Sequence, residues 1–152
     1  MKKEKQYWLL KTEPSAYSID NLQADRQTPW NGVRNFQARN FIRQMETGDL
    51  CLFYHSGDEK SVVGIAKVVT ASSPDQTQFD KKDRRYDPKS SPDNPTWFLV
   101  DIAFVEKFKR PITLSQIKNN PAFSGMLLTK AMRLSVQPVS EKDFAKMVKL
   151  VK

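Results

Sequence analysis

The chain has 152 residues, enough for one domain with its own core and no need of disulfide staples. Its 39% hydrophobic content argues against disorder, and 25 Lys and Arg against 17 Asp and Glu leave a formal net charge of +8. That balance favours a polyanionic partner, nucleic acid ahead of an anionic membrane, and the single cysteine, Cys51, excludes an internal disulfide or a multi-cysteine metal site.

The charged start leads into Tyr7-Trp8-Leu9-Leu10, which stops at Lys11. That run is too short for a signal segment or a membrane span, so a cytoplasmic protein without a membrane partner is expected. Residues 7–11 read as a first strand, closed by Glu13-Pro14. A short helix follows at 18–22, with Ser18 as its N-cap. Thr28-Pro29 then imposes an extended entry into residues 30–40.

Ala38, Phe41, Ile42 and Met45 recur at helical spacing and form one apolar stripe. Asn35 is the expected N-cap of that helix, and Gly48 its stop. Residues 50–55 and 62–69 read as two strands joined by a polar hairpin loop, with Cys51 a buried thiol. Gly64 inside the second strand predicts a bulge or a close backbone approach. Residues 70–96 are rich in turn formers around Lys81-Lys82-Asp83-Arg84-Arg85-Tyr86 and read as a long loop, either functional or merely solvated.

Residues 96–108 predict a long bent strand, with Phe98, Val100, Ile102 and Phe104 on one face. Thr113-Leu114-Ser115-Gln116 is a capping box, and Pro121 ends its short helix. Residues 133–137 alternate as a strand that turns Leu134 and Val136 inward and Arg133, Ser135 and Gln137 outward. Ser140 caps a last helix with Phe144, Met147, Val148 and Val151 buried. The elements add up to one domain over residues 1–152, a small mixed β-barrel or curved sheet with peripheral helices.

Residues 30–40, Trp30-Asn31-Gly32-Val33-Arg34-Asn35-Phe36-Gln37-Ala38-Arg39-Asn40, concentrate aromatic, amide and guanidinium groups where a core segment needs only the apolar ones. Such groups stack on a flat base, read its edge and neutralise a phosphate. Trp30 and Trp97 are the stacking candidates, with core packing an equal reading for each. Asn31, Asn35, Gln37, Ser56 and Gln137 are the edge-reading candidates. Lys11, Arg34, Arg39, Arg133, Lys81, Lys82, Arg84 and Arg85 are the candidates for the phosphate backbone. We expect Trp30, Asn35, Ser56, Trp97 and Gln137 to converge on one concave site. One His and one Cys, with no carboxylate cluster at ligand spacing, give no support to a metal or a cofactor. His55 and Ser56 are adjacent on a strand and cannot pair for nucleophilic catalysis.

Tyr7-Trp8-Leu9-Leu10-Lys11-Thr12-Glu13-Pro14 resembles the opening signature of EVE domains. Trp30-Asn31-Gly32-Val33-Arg34-Asn35 with Gln37-Ala38-Arg39-Asn40-Phe41 is similar to their second motif. Gly48-Asp49 with Phe53-Tyr54-His55-Ser56 is similar to the third, and Gly64-Ile65-Ala66 and Arg133-Leu134-Ser135-Val136-Gln137-Pro138-Val139 follow in order. The resemblance implies an α+β, PUA-like fold with kinship to YTH domains, which hold a methylated base in an aromatic cage. It implies a non-catalytic reader of a modified base, cytosine or adenine, in DNA or RNA; no cofactor is expected, and of the oligomeric states, which the sequence leaves open, a monomer is favoured. The third wall of such a cage stays open among Phe36, Tyr54 and Tyr86. The alternative is an enzyme on a modified nucleobase or nucleoside, as in ASCH domains that use Lys, Thr and Glu. Lys11, Thr12 and Glu13 supply those types, but on an extended strand Thr12 faces away from the other two. A protein-interaction module with incidental charge is a third possibility.

Overall fold

In the computed structural model, which describes residues 5–130 and 133–151, strand β1 (Tyr7–Thr12) runs parallel to β3 (Leu50–His55), Tyr7 opposite Leu50 and Thr12 opposite His55. β3 pairs antiparallel with β4 (Ser61–Val68), and β4 with the 13-residue β7 (Asp101–Thr113). Short edge strands complete the six-stranded sheet: β2 (Gln27–Pro29) beside β7, and β8 (Val136–Val139) beside β1. The sheet curls into a half-barrel. A separate two-stranded ribbon joins β5 (Ser73–Pro74) to β6 (Phe98–Leu99).

Both faces of this sheet are covered, which is why its central strands are apolar throughout rather than alternating with polar residues. Trp8, Leu10, Cys51 and Phe53 face one core, with α1 (Ile19–Asp25) and α2 (Phe36–Gln44) packed over it through Ile19, Leu22, Ala38 and Ile42. Leu9, Leu52 and Tyr54 face a second core, closed by α3 (Leu114–Lys118) and α4 (Glu141–Leu150) through Leu114, Ile117, Phe144 and Met147. Cys51 is fully buried, and burial pushes its thiol pKa up, so it is an inert core group. The Trp8 indole donates to Asp49 Oδ2 at 3.0 Å, which places Trp8 in the core with its polar end satisfied.

The helix starts follow the expected capping residues. Ser18 and Asn21 form a reciprocal box at α1, Asn35 accepts from the Ala38 N–H at α2, and Thr113 with Gln116 caps α3. Gly64 sits at a register break, where a Cβ would collide with the Glu106 carbonyl and lie 2.9 Å from Ile19 Cδ1. His55 is buried as a structural link: its Nε2 accepts from the Ile19 N–H at 3.0 Å while Nδ1 faces Glu59 at 2.9 Å.

Three expectations are corrected. The 70–96 segment is packed rather than merely solvated, because the buried Gln78 ties it together. Gln78 Oε1 accepts from Ser90 Oγ and the Thr96 and Trp97 N–H groups, and its amide donates to the Asp75 and Trp97 carbonyls. The long strand breaks at Val100 and runs on to Thr113. The last strand begins at Val136, leaving Arg133 in an exposed turn, and Gln137 is only 1% exposed. Gln137 lies opposite Leu9, on the face that α3 and α4 cover, so the outward side of that strand does not exist.

Candidate nucleic-acid interface

β2 ends at Pro29, and the Trp30 N–H is held by the Val100 carbonyl at 2.8 Å. The chain then turns away from the sheet through Gly32, whose φ of +82° suits glycine. Asp75, fully buried, pins the turn: its Oδ2 accepts from the Gly32 N–H at 2.7 Å and from Arg34 Nη1 at 3.2 Å. Burial alone would raise the Asp75 pKa, but hydrogen bonds from Thr77, Gly32 and Arg34 outweigh it and hold the carboxyl below its usual range. Thus the 30–34 segment is a pinned rim.

That rim borders a cavity of about 430 Å³, within the size range of small-ligand sites. Trp30 gives it an apolar wall; only 8% of the residue is exposed, and its ring stands edge-on to Phe53 and Tyr17. Tyr17 lines the cavity too, its hydroxyl donating to Asp25 at 2.8 Å. Lys11 and Thr12, at the end of β1, and Ser135 form the opposite side. Lys11 is half-buried, so desolvation lowers its pKa. Arg84 and Arg85 close the remaining edge.

Arg85 arranges the polar edge. Its Nε and Nη2 donate to the two Asp83 oxygens, each at 3.0 Å, and its Nη1 donates to Asn31 Oδ1 at 2.9 Å. Arginine has no acceptor, so the Asn31 atom facing it must be the oxygen. The Asn31 Nδ2, which has no hydrogen-bond partner among the described residues, is what remains to meet a ligand. Asn31 therefore presents donors.

Arg34, expected to meet phosphate, has its donors occupied. Nε and Nη2 bond the Arg85 carbonyl, Nη2 also bonds Thr77 Oγ1, and Nη1 bonds Asp75 and the Val33 carbonyl. All five of its N–H groups are thereby used within the protein.

The other candidates disperse. Trp97 does not line the cavity; it is 5% exposed, donates its indole N–H to Asp87 at 2.7 Å and lies between Arg34 and Phe36. Asn35 caps α2, and Gln37 is exposed on that helix. Ser56 lines a separate hollow with Glu13, Pro14 and Gly57. Gln137 is buried, its amide donating to the Leu134 carbonyl. The expected convergence of Trp30, Asn35, Ser56, Trp97 and Gln137 is therefore not what the fold builds, because three of their side chains stabilise local structure or the core. Arg39 donates to the Thr96 carbonyl at 3.0 Å and lies over Phe36. Lys81, Lys82, Arg84 and Arg133 are exposed. Lys11 and Thr12 both border the cavity, but their side chains alternate on β1, the Lys11 ammonium lying 5.6 Å from the Tyr54 ring on the second core's side, whereas Glu13 belongs to the other hollow.

Sequence reasoning missed Tyr17, Thr28 and Ser135 as cavity residues. Tyr17 precedes the Ser18 cap, and Ser135 was already on the polar face of its segment; those were the available signals. Among the described residues, no group of three or more His, Cys, Asp and Glu could hold a metal, and no helix is long and apolar enough to cross a membrane.

A curled mixed sheet with short helices on both faces, and a cavity beside the parallel β1–β3 pair, defines a PUA-like domain. Residues 6–150 match the EVE domain family, and the chain belongs to it. The "Thymocyte nuclear protein 1" of Gallus gallus is 42% identical over 158 residues, covering 91% of this chain, which spans only 65% of that protein's length. A hypothetical protein from Leishmania major shares 41% identity at a TM-score of 0.92, covering 97% of this chain and 94% of that one. The human THYN1 protein, solved in complex with DNA containing 5-methylcytosine, is 38% identical with a TM-score of 0.91, covering 97% and 98% of the two chains.

Proposed function

We propose that this protein binds DNA carrying a modified cytosine and holds that base, turned out of the helix, in the cavity beside Trp30 and Tyr17. The observation that carries the reading is the cavity edge where the Asn31 amide, its oxygen held by Arg85, offers its N–H donors against an apolar aromatic wall. A cytosine offers acceptors at N3 and O2, which such donors satisfy, and its ring packs on the aromatic wall. The likeness to human THYN1, solved with 5-methylcytosine DNA, supports cytosine over adenine and DNA over RNA. Exposed Arg84, Lys81 and Lys82 then meet phosphates, while Arg34 and Asp75 keep the rim rigid.

The test is fluorescence anisotropy at fixed salt, with oligonucleotides carrying one 5-methylcytosine, cytosine, N6-methyladenine or adenine, in DNA and in RNA. Preference for the 5-methylcytosine DNA is expected. Equal affinity for every oligonucleotide sinks the reading.

One observation favours a second reading, hydrolysis of a modified nucleoside: Lys11, its pKa lowered by burial, shares the cavity with Thr12. Turnover of free modified nucleosides that disappears in Lys11→Ala, with the fold intact, would establish it.

A further inference from the structure

Phe36 is 61% exposed at the first turn of α2. An exposed phenylalanine is unremarkable alone, but this one is mounted. Its ring stacks on Trp97 at 4.9 Å with a 30° tilt, and the Arg39 guanidinium lies over it at 5.2 Å. Trp97 is fixed in turn by Asp87 and by Arg34, whose guanidinium sits 5.4 Å from the indole. Arg34 belongs to the cavity rim. A continuous stack, Arg34, Trp97, Phe36, Arg39, therefore leads from the cavity to solvent and ends in an apolar ring beside a cation.

We propose that Phe36 enters the DNA duplex next to the cavity and fills the stacking gap left when the modified base turns out. This rests on the reading of the cavity as a base pocket. Turning a base out of a duplex costs its stacking and pairing, and apolar side chains inserted at base steps offset that loss. Phe36 suits the task on three counts. Its ring is flat and already ordered by Trp97. It stands on a helix rather than a mobile loop. The Arg39 guanidinium on the ring, with Arg43 over Phe98 one turn further along α2, suits a polyanion and disfavours an apolar protein partner.

The experiment compares wild type, Phe36→Ala and Phe36→Leu on three probes. These are a duplex with one 5-methylcytosine, the same strand single, and a duplex with one abasic site. Phe36→Ala should weaken the modified duplex about tenfold or more, as loss of one stacking contact implies. It should change single-strand affinity less than about twofold, since a single strand has no gap to fill. Phe36→Leu, still an apolar wedge, should recover part of the loss. The abasic duplex already holds a gap and offers no base to read. Wild type should prefer it to intact unmodified duplex, and Phe36→Ala should abolish that preference. Equal losses on single and double strands, or no abasic preference in wild type, overturn the wedge. Absence of any 5-methylcytosine preference, with the abasic preference kept, overturns the base pocket and leaves the wedge standing. Phe36 is exposed and α2 is anchored by Ala38 and Ile42, so the variants should fold; thermal melting checks it.

Discussion

Arg34 and Arg85 are joined through the main chain: Nε and Nη2 of Arg34 both donate to the Arg85 carbonyl, at 3.2 and 2.9 Å. One arginine thus holds the loop whose other arginine orients Asn31 at the cavity edge. The two basic residues cooperate as structure, and the cavity owes its shape to a loop 51 residues away in sequence.

Arg34→Lys should destabilise the fold although it keeps the charge. A lysine ammonium cannot bridge Val33, Asp75, Thr77 and Arg85 together. The expected cost is on the order of 1–3 kcal/mol in urea unfolding. An unchanged unfolding midpoint with lost DNA binding would instead make Arg34 a phosphate ligand.

Asn31→Ala should lower affinity for 5-methylcytosine DNA by about tenfold, the loss of one ligand hydrogen bond. Arg85→Met leaves the Asn31 amide free to turn over, so it should narrow the preference for modified over unmodified base. Arg85→Lys retains one donor toward Asn31 Oδ1 and should restore part of that preference. Titrations of the three variants give the ratios; an unchanged preference in Arg85→Met removes the orienting role.

Trp97→Ala should act on stability. The residue is buried beneath Phe36 and Arg34, so emptying its site should cost about 3–5 kcal/mol. Calorimetry reads the effect. A folded variant of normal stability that has lost only DNA binding would return Trp97 to the ligand site.

Acid should loosen the cavity rim. Asp75 is held below the usual carboxylate range, and the Arg85 side chain holds Asp83 at about 2. Depressed carboxyls stabilise the folded state above their unfolded values, near pH 4, and the contribution disappears as pH falls through the folded values. Unfolding midpoints between pH 6 and pH 2 should therefore fall below about pH 4, mainly through Asp75, because solvent screens the surface pair of Asp83 and Arg85. Asp83→Asn should flatten part of that fall.

Replacing Lys81, Lys82 and Arg84 together by Gln should weaken modified and unmodified DNA alike. If each of the three meets one phosphate, the log–log salt slope of single-strand binding should shrink by about 2. An unchanged slope places the phosphate contacts elsewhere.

Much of the architecture was legible in the chain itself. Strand and helix periods, the caps at Ser18, Asn35 and Thr113, the bulge at Gly64 and the buried Cys51 are local signals, each read over a few residues. The motifs from Tyr7 to Val139 carried the family, and of the singled-out residues 30–40 the first five, 30–34, border the cavity. Local patterns could not say which polar groups were already paired. Arg34 looks like a free cation until Asp75, Thr77 and the Arg85 carbonyl arrive from another loop. Gln137 looks outward until α3 and α4 cover its face, and Trp97 looks like a base stacker until Phe36 lies on it. Conversely, Tyr17 and Ser135 become cavity residues only when the curl of the sheet brings their segments together. Hydrogen-bond partners and burial are set by contacts between distant segments, and the tertiary structure alone decides them.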